Sequence, residues 1–106
     1  MPKYLFTATY TASGTQGLLK EGGSKRRAAI EQLISNSGGH LEGMYYALGE
    51  DDVYLIVDLP DQATASAISL TVNATGAVRL KTTPLISMEE LDQATKKKVK
   101  YRMPGK

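Results

Sequence analysis

The chain has 106 residues, 42% hydrophobic and 23% charged, enough for one domain with a thin core and too apolar for wholesale disorder. Cysteine is absent and histidine occurs once, which excludes disulfides, thiolate metal sites, cysteine nucleophiles and any two-histidine site within one chain. The net charge of +2 is unevenly placed: residues 96–106 hold six basic side chains and no acidic one, so the preceding 95 carry seven basic against eleven acidic, a balance of −4 with no electrostatic footprint for nucleic acid.

Residues 3–11 alternate, with Tyr4, Phe6, Ala8 and Tyr10 on one side and Leu5, Thr7, Thr9 and Thr11 on the other, the period of a half-buried strand. Ser13, Gly14, Gly17, Gly22 and Gly23 surround Leu18 and Leu19, which predicts a loop with a local apolar anchor. Ser24 is placed to cap a helix. Ile30, Leu33 and Ile34 mark its buried face, Arg26 and Glu31 lie off it, and Gly38 and Gly39 end it. Two further strands follow at 40–48 and 53–59. The turn between them, Gly49-Glu50-Asp51, is so short that they must pair antiparallel. In the first of the two, Leu41, Gly43, Tyr45 and Ala47 oppose His40, Glu42, Met44, Tyr46 and Leu48.

Pro60 stops the third strand and Asp61 caps a second helix over 62–73. Ala63, Ala65, Ala67, Ile68, Leu70 and Val72 spread apolar surface around most of that helix. This predicts burial on nearly all sides, with cover from another chain or from the C-terminal segment. Gly76 ends the helix, residues 77–85 alternate as a fourth strand, and Ser87-Met88-Glu89-Glu90 is a capping box opening a short extra helix that docks through Leu91 and Ala94. Residues 1–95 form the domain, and 96–106 a basic, flexible tail. The order β-α-β-β-α-β predicts an α+β fold, a ferredoxin-like sandwich with an antiparallel four-stranded sheet and helices on one face. No apolar run approaches the ~20 residues that span a bilayer. The N-terminus enters a strand at once, without a signal peptide's basic-then-apolar layout, so a cytoplasmic protein with no membrane partner is expected.

Helices on one face leave the other to water, a ligand or a second subunit. The alternation assigns to that open face Thr7, Thr9 and Thr11, Met44 and Tyr46, Tyr54, Ile56 and Asp58, and Arg79 and Lys81. Aromatics, hydroxyls, one carboxylate and two cations are too polar for a core and too apolar for a solvated sheet. The mixture predicts sheet-to-sheet homodimerisation around a partly polar cavity, with Tyr46, Tyr54, Asp58 and Arg79 as its ligand-binding residues; a structural ion pair across neighbouring strands is an equally good reading of Asp58 and Arg79.

Gly43-x-Tyr45-Tyr46-x-Leu48-Gly49-x-x-Asp52-Val53, followed by Ile56-Val57-x-x-Pro60-Asp61, resembles the GYD-domain family. The likeness extends from about Tyr4 to Glu90 and includes Tyr10-Thr11 with the glycine-rich stretch after it, and Gly76-x-Val78-Arg79. It departs at the turn, which reads Gly49-Glu50-Asp51-Asp52, with Asp51 where the family commonly has tyrosine. The resemblance implies a ferredoxin-like fold that dimerises into an α+β barrel, and it implies no particular reaction.

The remaining chemistry is sparse. His40 is the one side chain that titrates near neutrality unperturbed, and it sits at a strand start where a solvated imidazole is the simpler reading. Glu50, Asp51 and Asp52 crowd a turn but lack the spacing of a calcium loop, so no metal site is expected. Gly17-Leu-Leu-Lys-Glu-Gly22-Gly23 has the glycine spacing of a phosphate loop but places Gly23 where the lysine belongs. The helix start beside Lys25, Arg26 and Arg27 is an alternative anion site, against the simpler reading of a solvated basic turn. The third strand has one tyrosine and a carboxylate, not the paired aromatics of an RNA-binding module, and no specific nucleic-acid partner is expected.

The first functional expectation is a homo-oligomeric small-molecule-binding or assembly module with no cofactor. The alternative is a cofactor-independent isomerase or monooxygenase of the barrel type. In it Asp58 or His40 would be the catalytic base and Tyr54 or Arg79 the anion stabiliser, a reading that rests on analogy of fold.

Overall fold

Eight elements follow one another in the computed structural model, which describes residues 1–106. They are β1 (Lys3–Tyr10), α1 (Ala12–Glu21), α2 (Gly23–Asn36), β2 (His40–Tyr46), β3 (Val53–Asp58), α3 (Gln62–Ala74), β4 (Val78–Leu85) and α4 (Met88–Lys96). The strands form one antiparallel sheet in the order β2-β3-β1-β4, the expected ferredoxin-like α+β arrangement. The alternation of β1 and β3 turns Tyr4, Phe6, Ala8, Val53, Leu55 and Val57 toward the helices, where Ile34 of α2 and Ala65 and Ile68 of α3 close over them. Asp61 caps α3 as expected, its carboxylate accepting from the Thr64 N–H at 2.8 Å. Ser87 and Glu90 form the capping box that opens α4.

Residues 12–21 are helical, not the loop their composition predicts. Thr11 leaves the sheet extended, and its hydroxyl takes the Gly14 N–H while its own N–H donates to the Ala77 carbonyl at 3.0 Å. One residue thus caps α1 and fastens it to the approach of β4. At Gly14 the helix runs so close that a β-carbon would collide with the Ala77 carbonyl oxygen, so this glycine meets a packing demand and does not mark a loop. Thr11 is accordingly a helix cap, not an open-face residue. Gly22, at φ +81°, breaks α1 from α2 with no loop between them, a conformation that side chains rarely adopt. It also takes the cap position of α2. Ser24, expected there, lies inside the first turn, and no side chain caps the helix.

A bulge in β2 overturns part of the face assignment. Leu41 pairs with Val57 and Gly43 with Ile56, leaving Glu42 as the extra residue. Beyond the bulge the alternation is inverted. Met44 is buried under the helices opposite Leu55, and Tyr46 also lies on the helix side, opposite Val53. Tyr45, paired with Tyr54, occupies the open face in their place and is 72% exposed.

The expectation for α3 is met on one side only. Ala65 and Ile68 are buried, but Leu70 is 72% exposed, so this chain does not supply the outer cover. The C-terminal segment does not supply it either: every residue from Ile86 to Lys106 is exposed, the expected docking residues Leu91 and Ala94 included. The arm lengthens the molecule to 55 Å and raises its radius of gyration to 16.9 Å, against about 13 Å for a compact chain of this length.

Candidate functional site

The helix side of the sheet holds an apolar cleft between α2 and α3. Phe6, Ala8, Met44, Leu55, Val78 and Leu80 form its floor, and Ile30, Leu33, Ile68 and Val72 its walls. Its volume is about 50 Å³, and Arg26 is its only charged lining residue. Arg26, expected off the buried face, stands four residues before Ile30, one helical turn away on the same stripe. An adjoining groove of about 180 Å³ runs beneath α1 along Ser13, Gly14, Gly17 and Glu21, and shares Tyr10, Arg26 and Val78 with the cleft. Cleft and groove together fall short of the ~300–1,000 Å³ of sites for drug-sized ligands, so a molecule held here has a small body.

Polar groups gather where cleft and groove meet. The Arg26 guanidinium is 4.0 Å from the Glu21 carboxylate, and Tyr46 stands beside Tyr10 with its ring against Gly23. Burial, and then the neighbouring Tyr10 hydroxyl, push the Tyr46 phenol up to about 12. It is therefore a neutral hydroxyl throughout the ordinary pH range. With 40% of Tyr46 still open to water, solvent screening keeps the associated stability small. The arrangement offers a guanidinium and the Tyr10 phenol at the edge of an apolar recess, with Tyr46 next to Tyr10 outside the lining. Chemically it suits a small molecule with a hydrocarbon body and a head that accepts hydrogen bonds.

The other expected site residues lie across the sheet, on the open face. Asp58, at the end of β3, is paired in register with both His40 and Lys3, and its Oδ1 accepts from the Lys3 ammonium at 2.8 Å. Lys3 also reaches Glu42 at 2.9 Å, and these two hydrogen bonds, that to Asp58 first, raise its pKa above the ordinary lysine value. His40 is exposed beside this cluster. At the opposite end Asp51 accepts from the Thr9 hydroxyl at 3.1 Å and lies 3.4 Å from the Lys81 ammonium, with Arg79 alongside in the same shallow hollow. Between the charged ends run Leu5 opposite Ile56, Thr7 opposite Tyr54, and Tyr54 opposite Tyr45. Tyr46 is thus separated by the thickness of the sheet from Tyr54, Asp58 and Arg79, and the four do not form one site.

The acidic turn does more than its composition implies. Asp52 Oδ2 accepts the Tyr10 N–H at 2.9 Å, its own N–H donates to the Ala8 carbonyl, and Asp51 grips Thr9. The turn is therefore folded against the end of β1. Asp51, which replaces the tyrosine common in the resembling family, is one of the residues that hold it there.

Strand order, one-sided helices and the recess between helix layer and sheet define a ferredoxin-like α+β protein with an uncovered sheet face. The chain belongs to the GYD domain family, whose model matches residues 4–95. Comparison with curated proteins returns no match, and comparison with solved structures returns none. No helix is long and apolar enough to cross a membrane.

Proposed function

We propose that this GYD domain is a homo-oligomeric small-molecule-binding module that takes a small carboxylate with a hydrocarbon body into the cleft between α2 and α3. The observation that carries the reading is the pairing of an almost wholly apolar recess with one guanidinium at its edge, Arg26, and the Tyr10 side chain in the same lining. An apolar pocket with few convergent polar groups is the usual form of a binding site. A guanidinium recognises a carboxylate with both charge and fork geometry. The test is calorimetric titration with short straight-chain carboxylates and the matching alcohols. The carboxylates are expected to bind more tightly; Val72→Trp fills the cleft and abolishes binding of both, whereas Arg26→Leu removes only the preference. Carboxylate affinity that neither substitution changes would sink the reading.

Pairing of two copies through the open sheet face completes the proposal. The row Leu5, Ile56, Thr7, Tyr54 and Tyr45 is uncharged and largely aliphatic or aromatic, and charged groups of both signs stand at its two ends, the layout of an interface with a charge-poor centre and a polar rim. A native mass of 11.5 kDa for the unmodified chain would remove this half of the reading. Ile56→Glu is expected to reduce a dimer to that mass without unfolding it.

A further inference from the structure

The C-terminal arm is the part of the chain that the cleft and the open face leave unused. It leaves the body after Leu85 and is exposed along its length, yet Ile86, Met88, Leu91, Val99, Tyr101 and Met103 are all large apolar side chains. Its charges are segregated. The first two turns of α4 carry Glu89, Glu90 and Asp92 and no base, while from Lys96 onward there are six bases and no acid. The chain turns extended at Lys97 (φ −76°, ψ 133°), which carries the bases away from the acids of the same arm. Only Asp92 and Lys96 keep the one-turn spacing that lets neighbours on a helix pair.

From this complementarity we infer that the arm is a second self-association element, which pairs antiparallel with the arm of a second copy. Acids at one end and bases at the other make the segment complementary to itself reversed, so a two-fold axis near Thr95 matches α4 of each copy with the tail of its partner and makes the contact twice. The apolar side chains of each arm then leave water against the other. An anionic membrane would attract the tail but repel Glu89, Glu90 and Asp92 a few residues away. A second arm satisfies both halves. The contact lies outside the open sheet face and does not depend on it.

Absence of native cysteine allows a clean test in the full chain, with Thr95→Cys reporting arm proximity as an interchain disulfide. One variant adds Glu89→Lys and Asp92→Lys, leaving Glu90 for the capping box. A second adds Lys97→Glu, Lys98→Glu, Lys100→Glu and Arg102→Glu. Each alone is expected to lose most of the disulfide formed by the Thr95→Cys parent, and a 1:1 mixture to recover it as the mixed species, identified by mass. The parental yield should fall several-fold in 1 M salt, where the screening length is about 3 Å. Undiminished cross-linking in either variant, or no recovery on mixing, overturns the inference. Mixed disulfide in the Ile56→Glu background supports arm pairing whether or not the sheet faces pair, so the two contacts are judged separately.

Discussion

Two glycines in α1 receive opposite forecasts for the same substitution. At Gly17 a new β-carbon meets no atom within 4 Å, so Gly17→Ala gains only the helix preference of alanine, about 1 kcal/mol. At Gly14 the β-carbon runs into the backbone oxygen of Ala77, which is fixed there by the Thr11 N–H and cannot swing aside like a side chain. Overpacking of that kind costs about 1–3 kcal/mol. After ~1 kcal/mol of offset from propensity, Gly14→Ala is expected to destabilise by up to about 2 kcal/mol. The two variants should therefore differ by about 1–3 kcal/mol, the overpacking term alone, measured as a shift of urea midpoint at constant slope. Each kcal/mol corresponds to about 4–8 °C in Tm for a domain near this size. A stabilising Gly14→Ala would mean that α1 does not press on Ala77. A destabilising Gly17→Ala would mean that the segment is not helical.

Further outcomes follow from the turn and the cleft edge. Asp52→Ala leaves the Tyr10 N–H without its acceptor and should cost about 1–2 kcal/mol in urea unfolding, while Asp52→Asn, which keeps an amide oxygen there, recovers most of it. Ultraviolet titration of the six tyrosines should show one phenol ionising near pH 12, absent in Tyr46→Phe. Because folding raises this pKa from 10, the linked stability is complete below pH 10 and is lost as pH rises toward 12. Tyr46→Phe should flatten that fall, and an unchanged alkaline limb would refute the assignment.

The sequence exposed the strands well because a strand half covered by helices must alternate. Tyr4-Phe6-Ala8 and Val53-Leu55-Val57 name their own core face, and Asp61, Ser87 and Glu90 name their own caps. It misled at β2, where one extra residue at Glu42 inverted the later faces and moved Met44 and Tyr46 to the helix side. Gly43 was the available signal, since glycine within a strand often marks a bulge. It also misled at α1, whose glycines read as a loop until the approach to Ala77 gave Gly14 a packing reason. The cleft was partly legible. Tyr10 lay on the expected core face of β1, Tyr46 was named but on the wrong side of the sheet, and Arg26 was missed although its spacing from Ile30 puts it on the buried stripe.

What the chain's own order of residues determined was the set of local preferences: which segments alternate, where helices are capped, how charge is divided between body and tail, and that thiol chemistry is impossible. Local rules of this kind act over a few residues and survive without knowledge of what they pack against. Tertiary structure decided the rest, because it depends on pairs distant in sequence. The Glu42 bulge exists only in the register of β2 on β3, Gly14 is constrained only by Ala77, and Arg26 borders a cleft only because α2 and α3 stand apart over the sheet.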